Sequence, residues 1–297
     1  MMKQRSKILL IGIVLLFSMS LFSLFGCEKA GPLDNGSSRE STDDVINPET
    51  PPSSHVHSFD ANDKCEECGE SYQDSGLVFV ETRNGEGETI YSVKSYTGNS
   101  PLVVIPSKYR GFPVERISAS AFEGCETLTD LVIPESVNVI SSNAFGGCSN
   151  LKSISLPNSL QNIGNAAFAG CEKLLQKENG VYYVDRWVVD CDESVTDLSL
   201  RSNVVGIANS AFNRCAKITH VTLPEGIRFI CSGAFINCAG LKDITIPKTV
   251  YRIESSVFAE CINLERVYYG GSESSWKAVD ATGAVPESVS IVFNHNP

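Results

Sequence analysis

The stretch ISSNAFGGCSNLKSISLP, Ile140 to Pro157, decides the fold. After Ile140 and three polar residues come a small residue, Phe and, three positions on, Cys; an aliphatic residue follows three later, and then apolar and polar residues alternate up to a proline. The same Phe/Cys element recurs as Phe122/Cys125, Phe145/Cys148, Phe168/Cys171, Phe212/Cys215, Phe235/Cys238 and Phe258/Cys261. Successive phenylalanines lie 23, 23, 44, 23 and 23 residues apart. A fixed period in the twenties marks a stacked solenoid, in which each turn buries its apolar face against its neighbours.

The alternating part of each unit predicts a short strand stopped by proline. Its period of two points Leu128, Leu131 and Ile133 inward, then Leu151, Ile154 and Leu156, then Ile218, Val221 and Leu223. On these residues the chain resembles the BspA-type leucine-rich repeats of bacterial surface proteins, whose turns read roughly I-x-x-x-A-F-x-x-C-x-x-L-x-x-I-x-I-P. The resemblance covers about residues 77 to 297. It implies a mainly β fold, a parallel leucine-rich-repeat solenoid of ~23-residue turns with one strand per turn and irregular capping turns.

The 44-residue interval is two turns. Val195, Leu198 and Leu200 keep the spacing of a regular inward strand, so the departure falls on the turn before it. There Val181–Val184, Asp185-Arg186 and Trp187–Val189 predict a hairpin at 174–194, with Cys191 one residue out of register. The organisation is then a leader at 1–26, a linker at 27–54, a small Cys/His module at 55–76, a first cap at 77–112, repeats at 113–269 and a last cap at 270–297.

Lys3, Arg5 and Lys7 precede an apolar run from Ile8 to Phe25, the anatomy of a secretion signal. Leu24-Phe25-Gly26-Cys27 resembles a bacterial lipoprotein cleavage box, which makes Cys27 the acylated amino terminus and the lipid its membrane anchor. An uncleaved membrane-spanning anchor is the alternative, because the run is nearly long enough to cross a bilayer. Either way the remainder lies outside the cytoplasm, lipid-anchored and exposed at the cell surface in the first case. Residues 28–54 hold almost nothing to bury and read as a disordered tether. The formal charge is -11, and removing a leader of +3 leaves -14, a balance that argues against nucleic acid as a partner.

His55, His57, Cys65 and Cys68 have metal-ligand spacing. Two imidazoles and two thiolates can close a tetrahedral structural zinc site, and zinc would add folding energy to a short acidic segment. A Cys65–Cys68 disulfide or an unstructured spacer remains the alternative. The six ladder cysteines occupy one place in successive turns and read as buried thiols rather than disulfides, because side chains stacked in parallel point the same way. Cys231 replaces Ser141 in its repeat and is expected to be exposed and reactive.

Function is expected on the outward positions of the strands, with Lys152, Ser155, Thr219, His220, Thr222, Lys242, Thr245, Arg266 and Tyr268 as binding-face candidates. The face is small and polar, without an aromatic platform or a basic stripe. No Gly-x-Ser-x-Gly, His-Glu-x-x-His or phosphate loop is present, so no enzyme is expected. A Cys231/His220 pair would need a pocket, and Asp185, Asp190, Asp192 and Glu193 read as a solvated hairpin edge before a calcium site. The resemblance implies adhesion to an extracellular protein or glycoprotein of a host or neighbouring cell. A carbohydrate-binding role and a purely structural spacer are the competing readings.

Overall fold

The structure, a computed structural model, describes Lys64 and residues 75–295. The leader, Cys27, the linker and the metal candidates His55, His57, Cys65 and Cys68 lie outside the described residues. The first cap is an antiparallel hairpin of β1 (Leu77–Arg83) and β2 (Thr89–Tyr96). It is followed by β3 (Leu102–Val104), β4 (Lys108–Tyr109) and β5 (Phe112–Ile117), with Phe79 stacked on Tyr109 at 4.5 Å.

Each repeat then contributes two short strands where one was expected. The alternating segments form ladder one, in which β3 pairs in parallel with β6 (Asp130–Val132), and β6 with β8 (Ser153–Ser155). After the proline the chain turns and adds a two-residue strand to ladder two: β5 pairs with β7 (Val139–Ile140), and β7 with β9 (Asn162–Ile163). Ile117, Ile140 and Ile163 point inward from ladder two and are fully buried. That second strand was hidden because one inward aliphatic with a single paired neighbour has no readable period.

The third side of each turn carries the Phe/Cys element. Two residues four positions apart bracket it in the left-handed region, such as Asn143 (φ 56°) and Gly147 (φ 74°), or Ser210 (φ 58°) and Arg214 (φ 65°). Backbone bonds then run from turn to turn, as from Phe145 N–H to the Ala167 carbonyl at 2.8 Å. Tyr96, Phe122, Phe145 and Phe168 stack with centroids 5.2 to 5.3 Å apart. Four of the thiols do more than fill space: Cys148 Sγ donates to the Phe122 carbonyl at 3.0 Å, Cys171 to Phe145 at 3.1 Å, Cys238 to Phe212 at 3.1 Å and Cys261 to Phe235 at 3.0 Å, whereas Cys215, after the break, meets the Asp192 carbonyl at 3.8 Å. These cysteines are free and buried.

The 44-residue interval breaks the solenoid into two stacks. β10 (Gln176–Glu178), β11 (Val181–Val184) and β12 (Trp187–Cys191) form an antiparallel meander, one strand more than the expected hairpin. Its last strand starts a new ladder two, pairing in parallel with β13 (Gly206–Ile207). Ladder one restarts later, at β14 (His220–Thr222). Val195, Leu198 and Leu200 do pack on the core, but residues 195–200 form no strand, a correction to the expected regular turn. Cys191 is also nearer the ladder than its spacing suggested: contact with the Cys215 thiol, together with burial, pushes it well above the ordinary thiol range. The second stack continues through β15 (Phe229–Ile230), β16 (Asp243–Ile246), β17 (Arg252–Ile253) and β18 (Arg266–Tyr269). A short helix α1 (Glu273–Trp276), capped by Ser272, leads to β19 (Ser290–Val292), a further parallel strand on β18.

The stacks do not continue one another in line. Asn162 and Glu254 are four strands apart along ladder two, which in an unbroken stack means about 19 Å. Instead Asn162 Nδ2 donates to both Glu254 carboxylate oxygens at 2.9 Å. Asn162 also reaches Asn209 at 3.3 Å, Gln161 accepts from Arg252 at 3.3 Å, and the Ile163 carbonyl accepts from Asn209 N–H at 2.9 Å. The last turn of the first stack therefore lies across three successive turns of the second. Pro157, Leu160, Trp187, Val205 and Phe229 line a cleft of about 50 Å³ along this seam.

Candidate functional site

The pleat of ladder one sets where its side chains go. In the second stack β14, β16, β18 and β19 form one parallel sheet in register: Thr222 beside Thr245, Thr245 beside Tyr268, Tyr268 beside Val292. Val221, Ile244 and Val267 point inward and are buried, so their neighbours in sequence face away from the core.

On this face Thr219, His220, Thr222, Lys242 and Arg266 are exposed. His220 Nδ1 lies 2.8 Å from Asp243 Oδ1, Arg266 lies 3.7 Å from Glu265 and over the Tyr268 ring at 5.9 Å, and Tyr268 packs on His295 with centroids 4.5 Å apart. Thr245 departs from expectation. At 8% exposure it is enclosed between its neighbouring strands and offers a partner almost nothing.

Ser155 on β8 and Lys152 just before it are exposed; β8 belongs to the three-stranded sheet of the first stack. Lys152 lies 3.7 Å from Asp130. The structure thus brings seven candidates together on β14, β16, β18 and the residues leading into them, and sets Lys152 and Ser155 apart across the broken turn. Between β8 and that turn lies a groove of about 320 Å³, lined by Lys152, Ser153, Ile154, Ser155, Leu174, Gln176 and Asp185. The groove was missed in the sequence, although a signal existed. Lys177 and Asn179 stand where other repeats place inward aliphatics, so this segment cannot face the core and leaves β8 uncovered.

Cys231 overturns its expectation. It is 1% exposed because Gln161 crosses over it, with Cys231 Sγ 3.7 Å from the Gln161 carbonyl. Burial, followed by the nearby Glu254 carboxylate, raises its thiol well above the ordinary range, which removes the thiolate that a nucleophile needs. In the acidic stretch, Asp192 is held by Lys177 at 2.9 Å and by the Tyr182 hydroxyl at 3.1 Å, and Asp190 accepts from the Cys191 N–H at 2.8 Å. Among the described residues no three His, Cys, Asp or Glu side chains converge on a metal-sized point, and no helix is long and apolar enough to cross a membrane.

The family described as BspA type Leucine rich repeat region matches residues 112–180 and 183–277, in six copies. The fold is similar to that of a Treponema pallidum leucine-rich repeat protein at 27% identity, over 72% of this chain and 83% of that one, with a TM-score of 0.35. It is similar to a leucine rich cell surface protein of Faecalibacterium prausnitzii at 17% identity, over 70% and 97% of the two chains, with a TM-score of 0.28. A leucine-rich repeat protein of Bacteroides ovatus shares 22% identity over 73% and 60%, with a TM-score of 0.32. No curated protein matches the chain.

Proposed function

Because the chain belongs to the BspA-type leucine-rich repeat family, we propose that it is a non-catalytic recognition module of the cell surface that docks an extracellular protein or glycoprotein. One observation carries this reading: four parallel strands, β14, β16, β18 and β19, hold an exposed polar face in register. A face built from stacked strands is extended and stiff, so little conformational entropy is lost when a partner lies along it. The exposed side chains Thr219, His220, Thr222, Lys242 and Arg266 supply both donors and acceptors there.

In the same reading Cys27 carries the lipid and His55, His57, Cys65 and Cys68 hold structural zinc. Labelling with a radioactive fatty acid tests the first, with loss of label expected in Cys27→Ser. Calorimetric zinc titration of the full chain tests the second, with one ion bound and protons released.

The docking face is tested by presenting the chain to a panel of extracellular proteins beside a glycan array. The triple substitution His220→Ala, Thr222→Ala, Arg266→Ala changes only exposed positions and leaves the fold intact by circular dichroism. At least a tenfold loss of protein binding is expected, and undiminished binding rejects the face. Binding confined to glycans favours the carbohydrate reading, and silence on both supports a spacer.

A further inference from the structure

Among the described residues, the broken turn leaves β8 with no strand paired on the side away from β6. β8 ends its sheet, and the segment that should cover it, 176–178, turns away to pair antiparallel with β11. The inward residues report the same thing independently. Val103, Leu131, Val221, Ile244 and Val267 are buried, whereas Ile154 is only half-buried, as is Ile291 on the terminal strand β19. The edge of β14 faces the same break, yet Val221 beneath it is 2% exposed, so no gap opens onto the core there. The groove of about 320 Å³ beside β8 is lined by Lys152 together with Asp185 and Gln176 of the broken turn.

From this we infer that β8 is a strand-addition site, which takes an extended segment of a partner protein as a parallel strand along Ser153–Ser155. The inference rests on the docking reading of the ladder-one face. An edge strand presents unpaired backbone N–H and C=O groups, and backbone pairing with an incoming segment supplies affinity while alternate side chains supply selectivity. Here the selectivity is legible. The partner's central aliphatic residue covers Ile154 and Leu174. An acidic residue opposite Ser153 meets Lys152 as Asp130 does on the other side of β8, where the pair is 3.7 Å apart. The residue facing Asp185 is not acidic. The partner segment therefore reads acid, aliphatic, polar, aliphatic, the order of Asp243-Ile244-Thr245-Ile246 in β16.

The probe is a synthetic peptide with the sequence LKDITIP, residues 241–247, added to the full chain. Lys152 and Ser153 N–H already donate to the Thr129 carbonyl, so the amides that point away from β6 are those of Ile154 and Leu156. Hydrogen exchange at these two is expected to slow at least tenfold at saturation, while exchange in β16 is unchanged. No slowing at millimolar peptide overturns strand addition. So does equal slowing by a peptide with alternate N-methylated amides, which cannot pair. Ile154→Lys, at a half-buried position and checked for folding by circular dichroism, is expected to abolish the protection. If the triple variant on β14 and β18 loses protein binding while the peptide protects nothing, docking survives and strand addition falls. If the chain self-associates in sedimentation and the peptide disperses it, the occupant is a second copy and the assignment to a partner protein is wrong.

Discussion

The two stacks follow one repeat yet dispose of the outer side of ladder two in opposite ways. In the first stack the positions just before the inward isoleucine are Arg116, Val139 and Asn162, all half-buried. In the second stack the first three such positions, before Val188, Ile207 and Ile230, are Trp187, Gly206 and Phe229, with the two aromatics 2% and 6% exposed and stacked 6.1 Å apart; the fourth, Arg252, is half-buried again. Gly206 is required there, because a Cβ would sit 2.4 Å from the Trp187 ring. One residue past the inward aliphatic the contrast repeats in the middle turns: Ser118, Ser141 and Gly164 in the first stack, Ala208 and Cys231 in the second, before Glu254 ends the apolar run. A side of the solenoid that is surface along the first stack up to Asn162 is interface in the second, since the last turn of the first stack lies on it. Apolar residues at outward positions of a solenoid thus mark where the molecule packs against itself.

The contrast can be broken most forcefully at its aromatic. Trp187→Ala is expected to cost about 3 to 5 kcal/mol in chemical denaturation, while Val139→Ala at the equivalent position costs under about 1. Equal costs would mean that the seam is not packed. Next comes the polar latch. Removing Asn162 or Glu254 singly should cost roughly 1.5 to 3 kcal/mol, because each leaves a charge-assisted hydrogen bond unmade. A double-mutant cycle then reads a coupling of at least about 0.5 kcal/mol, and additive costs would separate the stacks.

The conformation of the Phe turn gives a smaller effect. The first stack uses Gly124, Gly147 and Gly170 at its second left-handed position, and the second uses Arg214, Asn237 and Glu260. Arg214→Gly or Glu260→Gly should stabilise by about 1 kcal/mol as a rise in midpoint, whereas Gly147→Ala should destabilise by a similar amount. Last, Cys231 should resist alkylation at neutral pH in the native chain, with labelling rising only as the protein unfolds. Fast native labelling would place it at the surface and undo the seam.

The Phe/Cys ladder, the inward aliphatics of ladder one and the existence of an irregular turn were all legible, because each repeats or interrupts a fixed interval. The second strand of every turn was not, since Asn162-Ile163 carries no alternation. The seam was not either. Trp187, Phe229 and Cys231 are ordinary residues singly, and their meaning depends on a turn that crosses the break, as Gln161 reaches Cys231 from 70 residues away and Asn162 reaches Glu254 from 92. Lys177 and Asn179 carry the signal of the uncovered edge of β8, because an ammonium and an amide at inward register positions cannot be buried unpaired.

The crossing of the first stack over three turns of the second also limits how such a protein can lengthen. A repeat duplicated between Phe122 and Cys148, or beyond Cys261, shifts everything downstream by a whole turn and leaves each thiol a carbonyl to bond. A repeat duplicated between Ile163 and Glu254 would move Asn162 off its partners and expose Trp187. Gene-level growth by repeat duplication is therefore open at the two ends and closed in the middle, so that length variation among descendants of this chain should fall outside that interval.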